Sequence, residues 1–136
     1  MDASHKIVGK SILLVESNQI LSSVLQNAFV NYECRLVSVE SAAKGLRLLK
    51  EASFDIIISD FNLPGIDGLE FFKFAAGLCP GAVNIMITAY GDVDPVSRAY
   101  NAGVNDVIEK PFSFTALLEI ISKHIPDQDM DAEESK

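Results

Sequence analysis

Glu16, Asp60, Thr88 and Lys110 are the residues of this chain whose types could do chemistry together. Each follows or closes a short apolar run rich in β-branched residues. A carboxylate can act as a nucleophile toward a phosphoryl group. Two carboxylates at one place repel each other, and a bound divalent cation with a lysine beside it relieves that repulsion. A hydroxyl such as that of Thr88 can donate a hydrogen bond to a phosphoryl oxygen. Taken singly, each residue has a plainer use. An Asp at a strand end often forms a turn or caps a helix, a Thr is often structural, and a Lys before a proline is often merely exposed. Only joint placement on one edge of a fold gives the four a common purpose.

The elements that must place them alternate along the whole chain. Strands are expected at Ser11 to Val15, Cys34 to Val39, Asp55 to Ser59, Val83 to Thr88 and Asn105 to Glu109. Helical spacing follows each one. The first helix carries Ile20, Leu21, Val24, Leu25, Ala28 and Phe29 on one apolar face, with Ser17 or Asn18 as its N-cap. Ser41 caps a second helix with Ala42, Leu46 and Leu49 on one side. A loop with Pro64, Gly65 and Gly68 leads to a third, carrying Leu69, Phe72 and Ala76. The fourth shows Val93, Val96 and Tyr100. The fifth begins at Ser113 and presents Phe114, Leu117, Leu118, Ile121 and Ile125. The third strand is continuous in isoleucine, as expected of a strand buried on both faces.

Five β-α units predict an α/β fold: a doubly wound parallel five-stranded sheet covered by helices on both faces. Right-handed crossovers leave few topologies, and the order 2-1-3-4-5, that of the flavodoxin-like (βα)5 fold, suits this length. Ligands in such sheets bind beyond the carboxyl ends of the strands, at the switch point between strands 1 and 3. Strand 1 delivers Glu16 and Ser17 to that edge, strand 3 Asp60, strand 4 Thr88 and Ala89, and strand 5 Lys110 followed by Pro111. Strand 2 delivers Glu40 and Ser41 away from the switch point. Mg²⁺ takes hard oxygen ligands and keeps several waters; Glu16, the Asp60 carboxylate and a loop carbonyl supply such oxygens.

At 136 residues, 49% of them hydrophobic, the chain fits one domain with a full core. Its net charge of −8 argues against direct nucleic-acid binding, which needs clustered Lys and Arg. Residues 126–136 set Asp127, Asp129, Asp131, Glu133 and Glu134 against the single Lys136, and are expected to be a disordered acidic tail. Residues 1–9 are expected to be a flexible N-terminal segment, which leaves 10–125 as the domain. Cys34 and Cys79 are far apart in apolar surroundings and read as buried core thiols. His5 and His124 have no evident ligand or triad partner. No apolar run suits a signal sequence or a membrane span, so a cytoplasmic setting is expected.

Three segments, in order and at matching spacing, resemble the receiver domains of bacterial two-component response regulators, the CheY-like family. Ile56-Ile57-Ile58-Ser59-Asp60-Phe61-Asn62-Leu63-Pro64-Gly65-Ile66-Asp67-Gly68-Leu69 resembles their phosphoacceptor segment. Ile85-Met86-Ile87-Thr88-Ala89-Tyr90 resembles their switch-threonine strand. Ala102-Gly103-Val104-Asn105-Asp106-Val107-Ile108-Glu109-Lys110-Pro111-Phe112 resembles their lysine-proline strand. The resemblance runs from about Lys10 to Ile125. It implies that Asp60 accepts a phosphoryl group from a sensor histidine kinase or phosphotransfer protein, with Thr88 and Lys110 contacting that group and Ala89 leaving access to it. It implies Mg²⁺ held by Glu16, Asp60 and the Asn62 backbone carbonyl. It also implies a switched protein-binding face on the fourth helix, fifth strand and fifth helix, near Tyr90, Tyr100 and Phe112, through which homodimerisation is an open outcome. Such a domain signals by contacts and is not an enzyme in the ordinary sense.

Two positions depart from the family pattern. Glu16-Ser17 stands where two acids are usual, and the missing acid is the one that ordinarily touches the metal. Ser17 is a neutral, weaker oxygen ligand, so weak Mg²⁺ binding is expected. Val107 stands where Tyr or Phe is common. These departures keep a phosphorylation-independent pseudo-receiver, a protein-interaction module held in one conformation, as the alternative. A phosphatase using a strand-end Asp nucleophile would need an acid at the position of Asn62, and a longer chain. A flavin carrier would need a phosphate cradle, which Glu16 to Ile20 lack.

Overall fold

The computed structural model describes residues 6–89 and 98–126. The strands are β1 (Ser11–Val15), β2 (Arg35–Val39), β3 (Ile56–Asp60), β4 (Val83–Thr88) and β5 (Asp106–Glu109). The helices among the described residues are α1 (Gln19–Val30), α2 (Ala42–Leu49), α3 (Gly68–Leu78) and α4 (Phe114–Lys123), with a turn of 3-10 helix at Tyr100–Ala102. The strands form one parallel sheet in the order β2-β1-β3-β4-β5, as the sequence predicts. The fourth helical pattern, with Val93 and Val96, lies outside the described residues, as do His5, Tyr90 and residues 127–136.

Strand alternation divides the core in two. Leu13, Val15, Ile57 and Met86 face α2 and α3, where Phe71, Phe72 and Ala75 meet them. Ile12, Leu14, Ile56, Ile58, Ile85, Ile87 and Ile108 face α1 and α4, against Leu25, Phe29, Leu117 and Ile121. Every residue of β3 is buried, because this strand has a neighbour on each side and a helical layer on each face.

Two helix faces are rotated from their expected positions. On α1, Leu25 and Phe29 are buried together with Ser22, whereas Ile20 and Val24 are 78% and 56% exposed. Ser22 turns inward because its hydroxyl meets that of Ser38 on β2 at 2.6 Å, a partner that periodicity does not reveal. On α3 the buried face runs through Leu69, Phe71, Phe72 and Ala75, with Ala76 at its margin. Residues 6–9, assigned from sequence to a flexible segment, are partly packed: Ile7 is fully buried beside Phe29 and Ile121, and Gly9 N–H donates to the Glu33 carbonyl. One isoleucine is enough to draw the segment into the α1/α4 layer.

Candidate functional site

Local chemistry at the carboxyl edge of the sheet begins with Glu16. It directly follows β1, and its backbone N–H donates to the Val39 carbonyl of the neighbouring strand. Its side chain is drawn back by the chain that follows it: Asn18 N–H donates to Glu16 Oε2 at 2.9 Å. Asn18 is the N-cap of α1, its side-chain oxygen accepting from the N–H groups of Ile20 and Leu21. Thus Asn18, not Ser17, is the cap. Glu16 is 1% exposed, and its Oε1 makes no hydrogen bond among the described residues. Ser17 is exposed.

Asp60 is the last residue of β3 and is 5% exposed. Its Oδ1 accepts from Asn62 N–H at 3.2 Å, and its Oδ2 accepts from Lys110 Nζ at 3.1 Å. Lys110 follows β5, where its own N–H donates to the Thr88 carbonyl. Its ammonium also lies 3.8 Å from Glu16 Oε1, so one cation spans both carboxylates. Thr88 ends β4, one residue past the Asp60–Ile87 register, and is fully buried with Oγ1 lacking a hydrogen bond among the described residues. The sheet thus brings Glu16, Asp60 and Lys110 into contact and sets Thr88 beside them.

Burial pushes the Glu16 carboxyl above its ordinary value, and the Asp60 carboxylate adds in the same direction. Asn18 N–H and Lys110 act against this rise. The orphaned Oε1 and the Asp60 carboxylate are hard oxygens in a place short of positive charge, a donor set that fits a hard divalent cation. Among the described residues no group of three or more His, Cys, Asp or Glu side chains gathers, so a cation there would draw its remaining ligands from backbone carbonyl and water.

Other sequence candidates fall elsewhere. Cys34 and Cys79 are free, buried thiols, and burial pushes the Cys34 thiol up. His124, for which the sequence offered no partner, places Nε2 3.1 Å from Asp106 Oδ2, at the end of β5 remote from Lys110. Val107 is half-buried against the α2/α3 layer, and Phe112 packs with the α1/α4 layer. Asn84, buried in β4, donates from its side-chain amide to the Gly103 carbonyl. No helix among the described residues is long and apolar enough to cross a membrane.

Comparison with known proteins gives this geometry its setting. The chain is 34% identical over 113 residues to the response regulator protein FleR of Pseudomonas aeruginosa, a match covering 83% of this chain and 24% of that protein. It therefore spans about a quarter of the length of that relative. The receiver domain of sensor histidine kinase PA1611 from Pseudomonas aeruginosa, solved with a magnesium ion coordinated in its active-site cleft, is 26% identical with a TM-score of 0.76. That match covers 85% of this chain and 97% of the other. A CheY-like receiver domain protein from Methanospirillum hungatei is 26% identical with a TM-score of 0.80, covering 93% and 98%. The response regulator receiver domain family matches residues 12–122, and the chain belongs to that family.

Proposed function

We propose that this chain is a phosphorylatable receiver of two-component signal transduction, with Asp60 as the residue that takes the phosphoryl group. The observation that carries this reading is the buried Asp60 carboxylate held by Asn62 N–H on one oxygen and by Lys110 on the other. In the transfer, an Asp60 oxygen bonds to phosphorus as the bond from phosphorus to a donor imidazole nitrogen breaks, and the imidazole leaves with that electron pair. Lys110 faces the charge that builds on the phosphoryl oxygens, and Thr88 Oγ1, without a partner among the described residues, is a donor one strand away. Mg²⁺, held by Glu16, Asp60 and the Asn62 carbonyl, would neutralise part of the phosphoryl charge. Glu16 keeps its place for that role through Asn18 N–H.

The donor is a sensor histidine kinase or phosphotransfer protein. Ile20 and Val24, exposed one turn apart at the start of α1 and close in sequence to Glu16, give a protein donor an apolar foothold. Phosphorylation adds a dianion that biases the proposed partner-binding face of β5 and α4, to which the fourth helical pattern of the sequence belongs. The setting is cytoplasmic, the role is signalling, and the partner downstream is a protein. The test is intact-mass measurement after incubation with acetyl phosphate, with and without Mg²⁺. A Mg²⁺-dependent gain of one phosphoryl group supports the reading; no gain at saturating donor and cation contradicts it.

One observation favours a phosphorylation-independent module instead. Ser17 is exposed and uncharged, and Lys110 already stands between the two carboxylates. A chain of this kind would bind its partner equally well with and without acetyl phosphate and Mg²⁺.

A further inference from the structure

We infer that Gly68 is a positioning residue for phosphoryl acceptance, because it occupies a place where only a residue without Cβ lets Asp60 and the Asn62 carbonyl stand as they do. A Cβ at Gly68 would lie 2.5 Å from the Asp60 carbonyl oxygen and 2.8 Å from Phe61 Cα. Ordinary contact begins near 3.4 Å, and both obstacles are backbone rather than a flexible side chain. Nor can Gly68 back away freely. Its N–H donates to the Phe61 carbonyl at 2.8 Å, while Phe61 N–H donates to the Ile87 carbonyl on β4 at 2.8 Å. These bonds close the base of the loop over residues 62–67, which starts at Asn62 and ends at Asp67, the N-cap of α3. The buried side chains Leu69, Phe71 and Phe72 anchor the first turns of that helix in the core. A Cβ would therefore drive the end of β3 and the base of the loop apart by roughly half an ångström or more. Displacements of about 1 Å cost on the order of a hundredfold in an aligned reaction.

This inference rests on Asp60 and the Asn62 carbonyl being phosphoacceptor and cation ligand. Its test compares Gly68→Ala, Gly77→Ala and the double variant in the full chain. Gly77 lies on the same helix with nothing within 4 Å of its would-be Cβ, so alanine there fits and strengthens the helix. Mn²⁺ affinity is read by electron paramagnetic resonance, and the Mg²⁺ concentration giving half-maximal labelling by acetyl phosphate is read alongside. Both Gly68 variants are expected to fold, to bind Mn²⁺ roughly tenfold or more weakly, and to need correspondingly more Mg²⁺. Gly77→Ala should match wild type in both measurements. Unchanged Mn²⁺ affinity in folded Gly68→Ala would overturn the inference. So would failure of both Gly68 variants to fold, which would make the glycine a residue of folding alone. Wild type that neither binds Mn²⁺ nor takes label defeats the underlying reading and the inference with it. Wild type that does both beside an unaffected Gly68→Ala defeats the inference only.

Discussion

Lys110 Nζ stands 3.1 Å from Asp60 Oδ2, joining the ends of two strands that are not neighbours in the sheet. The same ammonium reaches to 3.8 Å from Glu16 Oε1 and is the one cation that reaches both carboxylates among the described residues. Lys110→Ala should therefore leave two facing anions without the ammonium between them. The expected outcome is a larger Mg²⁺-induced rise in melting temperature for the variant than for wild type. An equal rise would show that Lys110 does not govern the charge of the pair.

Burial raises the Glu16 carboxyl above its ordinary value of 4.5. Between that value and the raised one, the folded chain binds more protons than the unfolded chain, so stability falls as pH rises through the window. Above the window the penalty is complete. With divalent cations chelated, Glu16→Gln should melt higher than wild type at neutral pH, and the gap should close as the pH falls from the raised value toward the ordinary one. Thermal melts across pH provide the check. A wild type that melts higher at neutral pH would contradict the account.

The order of the sheet and the residues at its carboxyl edge were legible in the sequence because both follow from short patterns. The isoleucine run before Asp60 has the composition expected of a strand buried on both faces, and the switch-point rule then set Glu16, Asp60 and Lys110 on one edge. What stayed hidden depends on contacts between distant segments. Ser22 turns inward to meet Ser38, leaving Ile20 and Val24 outside. Ile7 packs under α1 and α4. The grip of Asn18 N–H on Glu16 needs the backbone conformation of the cap, which residue types alone do not specify. Gly68 carries a signal only as a turn residue; its close approach to the Asp60 carbonyl is visible in three dimensions alone.

Ser17 is exposed, uncharged and next in sequence to Glu16. Ser17→Asp adds an oxygen anion where cation affinity is set by ligand charge, and should tighten Mg²⁺ binding by roughly tenfold or more. Calorimetric titration measures this directly. No change would mean that position 17 does not face the cation.

Asn18 has two separable duties. Its side chain caps α1, whereas its backbone N–H holds Glu16. Asn18→Ala should cost about 1 kcal/mol of stability while leaving Mg²⁺ affinity close to that of wild type. A large loss of cation affinity without loss of stability would reverse these assignments.

The most direct test of the central claim locates the phosphoryl group. After labelling with acetyl phosphate and Mg²⁺, borohydride reduction converts an aspartyl phosphate to homoserine, and peptide mass spectrometry finds the converted residue. Homoserine is expected at position 60 in wild type, only when Mg²⁺ was present, and nowhere in Asp60→Asn. Conversion at another residue, or none in wild type at saturating donor and cation, would contradict it.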